Sequence, residues 1–195
     1  AEKYRVDWTL EEVASEYGFY GMIGRSPQML KLFDLIKRVA LTDASVLIMG
    51  ETGTGKELVA HAIHQLSPRK SGPFIAIDCA AIPEMLVESE LFGHERKSFT
   101  GADRQHIGAF ERANGGIIYL DEIGDITIST QAKLLMALSE LTFSRIGGTH
   151  EIAFDARFIF ATNQDLERLV IEGHFRSDLY YRMNVLHIHI PPLRE

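Results

Sequence analysis

Apolar positions along the chain follow two periods in turn. Over the stretch that begins at Pro27, Leu30, Phe33, Ile36 and Val39 recur at three- and four-residue spacing, the pattern of an amphipathic helix laid on a core. Short, mostly apolar stretches near 45–49, 74–77, 116–120, 157–161 and 185–190 read instead as strands of a sheet covered on both faces. Helical stretches are expected between them, near 55–66, 83–91, 129–140 and 165–172. That alternation predicts an α/β fold with a mainly parallel sheet covered on both faces. Two segments interrupt it. A hairpin is expected from Phe143 to Phe154, turning at Gly147-Gly148-Thr149, and a loop from Gly93 to about His106; neither shows an obvious contribution to the core. Residues 1–20 mix charges with aromatics without a strong period and are expected to be a linker or entry segment, leaving 21–195 as the domain. The first residue is Ala1 rather than Met, which suggests an excerpt from something longer.

Composition narrows the setting. With 195 residues, 46% hydrophobic and 24% charged, one domain with a sizeable core fits and a second does not fit easily. Against 27 acidic residues stand 20 Lys and Arg, a net charge of −7, and no basic helix is clustered to track phosphates, so this segment is not expected to grip nucleic acid by itself. Cys79 is the only cysteine, which removes disulfide frameworks and thiolate zinc sites; it reads as a small buried residue of a reduced cytoplasmic protein. No signal-peptide pattern and no apolar run of 18 residues is present, so a soluble chain without a membrane span is expected. His61 with His64, and His187 with His189, share faces but lack a third ligand pattern, and read as structural or surface residues.

The chemistry begins at Gly50-Glu51-Thr52-Gly53-Thr54-Gly55-Lys56, between the apolar run Ser45–Met49 and a helical pattern. Glycines let backbone N–H groups turn inward around phosphate oxygens, the helix N-terminus adds a favourable dipole, and Lys56 reaches the outer phosphates of a nucleoside triphosphate. Glu57 stands where Ser or Thr usually follows the lysine to ligate magnesium. Ile117-Ile118-Tyr119-Leu120 then runs into Asp121 and Glu122, two carboxylates at a strand end, where ligands sit in open α/β sheets. This Walker B pattern would give Asp121 to magnesium, through water, and Glu122 to the attacking water. Asn163, at the end of Phe160-Ala161-Thr162, could face the γ-phosphate or be an ordinary turn residue. Arg176 and Arg182, six positions apart, could be surface cations or the arginines that phosphoryl transfer takes in trans.

Taken together, Gly50–Glu57, Ser89-Glu-Leu-Phe-Gly-His-Glu95, Phe99-Thr-Gly-Ala102, Leu120-Asp-Glu-Ile-Gly-Asp125 and Phe175-Arg to Pro191-Pro-Leu-Arg-Glu195 resemble the central AAA+ ATPase domain of sigma-54-dependent transcriptional activators. The resemblance runs from about Gly21 to the last residue and implies a three-layer P-loop NTPase fold. It further implies ATP and Mg²⁺ held between subunits of a hexameric ring, whose hydrolysis remodels the closed complex of sigma-54 RNA polymerase. On this resemblance Lys56 contacts phosphate, Asp121 and Glu122 serve magnesium and water, Asn163 lies in the first sensor, and Arg176 and Arg182 reach into the neighbour's site. Phe99, Thr100 and Gly101 fall in the loop that contacts sigma-54. The helical lid and the DNA-binding domain of the family lie beyond Glu195, so the fragment alone is expected to bind nucleotide weakly, assemble poorly and reach DNA only through a domain it lacks.

The chain departs from the family's pattern in two places. Its contact loop reads Gly-Ala-Phe-Thr-Gly-Ala, whereas this chain has Lys97-Ser98-Phe99-Thr100-Gly101-Ala102, replacing a glycine that has easy access to positive φ. An alternative therefore stands open, a regulator that keeps the fold for nucleotide-controlled assembly and acts without sigma-54. Asp78 stands where the family commonly has an Asn that bonds the catalytic Glu. An ionised Asp cannot donate to Glu122, so Asp78 is expected either to carry a raised pKa or to have given up that contact.

Overall fold

A computed structural model of the chain describes residues 18–24 and 26–192. Most of the expected linker therefore lies outside the described residues. The elements run α1 (Pro27–Ala40), β1 (Val46–Met49), α2 (Lys56–Leu66), β2 (Phe74–Asp78), α3 (Glu84–Phe92), α4 (Ala109–Arg112) and β3 (Ile117–Asp121). After a 3-10 turn at Ile123–Asp125 come α5 (Ile128–Glu140), β4 (Thr142–Ser144), β5 (Glu151–Ala153), β6 (Arg157–Thr162), α6 (Leu166–Ile171), α7 (Ser177–Met183) and β7 (Leu186–His189).

The large sheet has the order β2-β3-β6-β1-β7, and all four pairings are parallel. Alternation along each strand splits the core in two. Val46, Ile48, Ile117, Tyr119, Ile159 and Ala161 pack beneath α1 and α2. Leu47, Ile118, Leu120, Phe158 and Phe160 pack against α3, α4, α5 and α7. The expected three layers are therefore present. Strand and helix limits differ from the sequence reading by a residue or two. The short helices α4 and α7 are additional to it, because four to seven residues rich in aromatic and charged side chains carry too few turns to show a period.

Local chemistry sets the first helix. Ser26 accepts the Met29 N–H at 3.3 Å as N-cap, Pro27 opens the first turn, and Lys37 and Arg38 sit in the last. Its C-terminal carbonyls are satisfied from across the fold. Arg157, the first residue of β6 and only 2% exposed, donates to the oxygens of Val39, Ala40 and Ala44 at 2.9, 3.2 and 3.1 Å. Burial lowers the pKa of that guanidinium to about 10. Ahead of α1, the turn at 18–22 lays Phe19 on Phe33, ring centroids 4.6 Å apart, so packing against the domain starts within the segment expected to be linker.

The two interruptions are corrected by the structure. β4 and β5 form the expected antiparallel hairpin, with Phe143 opposite Ile152, but its flanking aromatics are core residues. Phe143 and Phe154 are buried, with ring centroids 5.5 and 4.9 Å from Phe110, which also meets Phe92 at 5.0 Å and Phe158 at 5.5 Å. The loop that follows Gly93 is bound to the hairpin: Ile146 N–H donates to Gly93 O, and Glu95 N–H donates to Ile146 O, both at 3.0 Å. These contacts join segments some fifty residues apart, which neither period could show.

A nucleotide cleft and a clamped loop

The phosphate loop leaves β1 and enters α2 through two residues in the left-handed region, Gly53 at φ 83° and Gly55 at φ 92°. A Cβ at Gly53 would meet nothing within 4 Å, so the requirement there is conformational and not steric. Thr54 closes the loop by donating its hydroxyl to Glu51 O at 2.7 Å. Lys56, 6% exposed, donates to Gly50 O at 3.2 Å and lies 3.3 Å from Glu122.

Strand ends bring the remaining groups to this loop. Glu122 has φ 49° and ψ 50°, an uncommon conformation for a non-glycine residue, and it turns its carboxylate back from the end of β3. Asn163, just past β6, donates its backbone N–H to Glu122 at 3.0 Å and its side-chain amide to Thr52 at 2.8 Å. Lys56, Glu122, Asn163 and Thr52 thus form one connected polar circuit. They line a cleft of about 770 Å³ with Gly53, Gly55, Glu57, Leu58, His61, Asp78, Asp121 and Asp125. Asp121 accepts the Glu122 N–H at 3.0 Å, and burial raises its pKa above the usual carboxylate value, against the lowering effects of the nearby Tyr119 phenol, of that bond and of Lys56.

Asp78 sits beside Asp121 in register, but its carboxylate is committed locally, accepting the N–H groups of Ala80 and Ala81 at 3.0 and 3.2 Å. Of the two expectations for Asp78, this geometry fits a residue that has given up the contact with Glu122. Cys79 is buried as expected; burial and then the Asp78 charge push its thiol up to about 12.

Arg176 and Arg182 do not line the cleft. The Arg176 guanidinium is paired with Asp178 at 2.8 and 3.0 Å, and Arg182 donates to Leu138 O at 2.7 Å. The segment carrying Arg176 is fixed by a residue the sequence reading passed over. Gln131, fully buried on α5, accepts the Arg176 N–H at 2.8 Å and donates to Ile126 O and His174 O at 2.9 and 3.1 Å. Its signal was a neutral amide beside Thr130 in a helix that is otherwise apolar on that face, which resembles any surface Gln.

Phe99, Thr100 and Gly101 lie at the tip of the Gly93 loop, away from the cleft. Phe99 is 39% exposed and its ring stands edge-on to His94 at 4.9 Å. Lys97 adopts φ 65°, so the position keeps a left-handed backbone without its glycine; its N–H donates to Ala102 O at 2.7 Å and Gly101 follows at φ 100°. At the base, Arg145 grips Glu111 through two bonds of 2.7 Å and Glu95 through one of 2.8 Å. The guanidinium holds the Glu95 carboxyl below its ordinary range.

Residues 22–189 match the model of the sigma-54 interaction domain. The chain belongs to that family. It is 55% identical over 185 residues to the Nif-specific regulatory protein of Azotobacter vinelandii, covering 94% of this chain and 35% of that protein. Against the DNA-binding transcriptional regulator NtrC of Salmonella typhimurium it is 55% identical over 174 residues, 89% of this chain and 37% of the other. Among solved structures, NtrX from Brucella abortus superposes with a TM-score of 0.83 at 43% identity over 88% of this chain and 38% of that one; NtrX has also been solved with ADP and with ATP. The P-loop NTPase domain of an Escherichia coli sigma-54 activator shares the fold, with a TM-score of 0.59 at 22% identity. The chain spans about a third of the length of these curated relatives. The chain is the P-loop ATPase-type sigma-54 interaction domain that these relatives share. Among the described residues no helix is long and apolar enough to cross a membrane.

Proposed function

We propose that this domain binds ATP with Mg²⁺ and hydrolyses it at a subunit interface, driving a ring-shaped activator that remodels sigma-54 RNA polymerase. The observation that carries this reading is the circuit from Lys56 through Glu122 and Asn163 to Thr52, closed around an open phosphate cradle.

The residues present suit both groups. Left-handed glycines and the start of α2 favour phosphate oxygens. Among the described residues no three His, Cys, Asp or Glu converge as a ready-made metal cage, which suits a magnesium ion bound through one carboxylate together with substrate phosphates and water. Asp121 is the carboxylate to hold it, and the ion, when bound, neutralises charge on the phosphates. Lys56 binds phosphate oxygens. Glu122, kept in place by the Asn163 N–H, orients and polarises the attacking water, and Asn163 senses the same end of the nucleotide.

Arg176 and Arg182 lie outside their own cleft, which supports a role in a neighbour's. Such arginines contribute roughly 10³–10⁵ in rate, so hydrolysis is expected to rise more steeply than linearly with protein concentration in the parent, and Arg176→Ala is expected to remove only that rise. A rate per subunit independent of concentration in the parent sinks the shared site. The Phe99 tip, exposed on a clamped loop, is the sigma-54 contact. Co-migration of the full-length protein with purified sigma-54 in ADP–aluminium fluoride tests it: binding by the native loop is expected, and binding only by Lys97→Gly/Ser98→Ala means this protein has left sigma-54.

A further inference from the structure

Tyr119 lies two residues before Asp121 on β3, and the period of the strand puts both side chains on the α2 face of the sheet. The ring is packed, 1% exposed, with Phe74 stacked at 6.1 Å. Its hydroxyl has no hydrogen-bond partner in the structure. A phenylalanine would fill the same space without leaving a polar group stripped of water, so the hydroxyl is an uncompensated cost here.

That hydroxyl shares a face of β3 with Asp121, which lines the cleft. After burial, the groups that hold its proton on are the carboxylates of Asp121, Glu57 and Glu122, Asp121 first. The phenol meets Asp121 too loosely to form a well-made bond, yet closely enough to feel its charge. Asp121 takes one backbone N–H, from Glu122, and a carboxylate has room for further donors. Of the loop's own hydroxyls, Thr54 donates to Glu51 O, while Thr52 accepts the Asn163 amide. Glu57 occupies the place after the lysine where a hydroxyl residue commonly stands.

We propose that Tyr119 is a positioning residue for Asp121: when magnesium and nucleotide are bound, its phenol O–H, unpaired in the free domain, donates to that carboxylate and holds it in the orientation that serves the ion. The inference rests on the assignment of Asp121 to magnesium made above. Partners of a metal-binding carboxylate typically change metal affinity by roughly 10–100-fold, without contributing to the phosphate cradle.

The test is a titration of the full chain with a fluorescent ADP analogue, in MgCl₂ and in EDTA, for the parent, Tyr119→Phe and Asp121→Asn, with Mn²⁺ affinity of the ADP-loaded proteins read by electron paramagnetic resonance. Tyr119→Phe is expected to lose about tenfold in Mn²⁺ affinity and in the magnesium-dependent gain. Its affinity in EDTA should stay within about twofold, and its melting temperature should equal or exceed the parent's, since a buried unpaired hydroxyl has been removed. A structural bond would do the reverse: a lower melting temperature with both affinities reduced alike overturns the inference. If Asp121→Asn loses the magnesium-dependent gain and Tyr119→Phe keeps it, Tyr119 has no such role and the assignment of Asp121 stands. If the parent shows no gain, or Asp121→Asn leaves it intact, the assignment of Asp121 falls and this inference with it.

Discussion

The nucleotide cleft and the clamped loop are held by different physics. The cleft is assembled from the ends of parallel strands: backbone geometry at Gly53, Gly55 and Glu122 places the donors, and a few short side-chain bonds close the circuit. The loop has no sheet beneath its tip. It stands on a guanidinium that binds two carboxylates and on a cluster of phenylalanines under the hairpin. Damage to the first region should therefore appear in chemistry with little loss of stability, and damage to the second in stability with little loss of nucleotide binding.

The sharpest test of that contrast is Glu122→Gln, which keeps the shape of the side chain but not its charge. ATP turnover should fall by roughly 10²–10⁴, while nucleotide is retained and the melting temperature is near the parent's; persistent turnover would remove Glu122 from the mechanism. Cys79 reports burial first, and the negative charge of the same region second. With its thiol raised from 9 to about 12, the thiolate fraction near pH 8 is lower by about 10³ than for an unperturbed thiol, so iodoacetamide should label the folded chain slowly and the denatured chain fast. The sign follows from proton binding: between pH 9 and 12 the folded state keeps a proton that the unfolded state gives up, so this group's contribution to stability is lost as pH rises through that window. Equal labelling rates in the two states would contradict the burial of Cys79.

On the loop side, Phe143→Ala should cost about 3 kcal/mol by denaturant unfolding, with nucleotide affinity within about twofold; a matching loss of nucleotide affinity would erase the distinction between the regions. The smallest effect belongs to Lys97→Gly. Relieving a left-handed lysine gains about 1–2 kcal/mol, offset in part by the greater freedom of glycine in the unfolded chain. A net stabilisation of at most about 1 kcal/mol is expected. Clear destabilisation would mean that the lysine side chain contributes something its backbone conceals.

The same contrast explains what could be read from the sequence. Phosphate loop, Walker B carboxylates and Asn163 each follow an apolar run, and a run of neighbours along the chain is what a period reveals. Arg145 meets partners 50 and 34 residues away, and Arg157 meets carbonyls 117 and 118 residues away. As single arginines, one in the hairpin and one at the start of a strand, they carry no local mark of those partners. Gln131 and the hairpin phenylalanines were obscured for the same reason: their roles are fixed by what arrives from elsewhere in the fold. Asp78 was legible as a departure, but not that its carboxylate accepts the N–H groups of Ala80 and Ala81.

The ladder of phenylalanine rings also gives the molecule a mechanical axis. Phe143 and Phe154 touch Phe110, Phe110 touches Phe158 at the start of β6, and Phe158 stacks on Phe160 with the ring planes only 9° apart, two residues short of Thr162 and the Asn163 that follows it. Because the loop is fastened to this hairpin at Gly93, Glu95 and Ile146, it is a short cantilever, not a free tether. A load applied at Phe99 would be taken up by close-packed rings and by an extended strand that ends at the cleft, a stiffer support than a loop of that length has by itself.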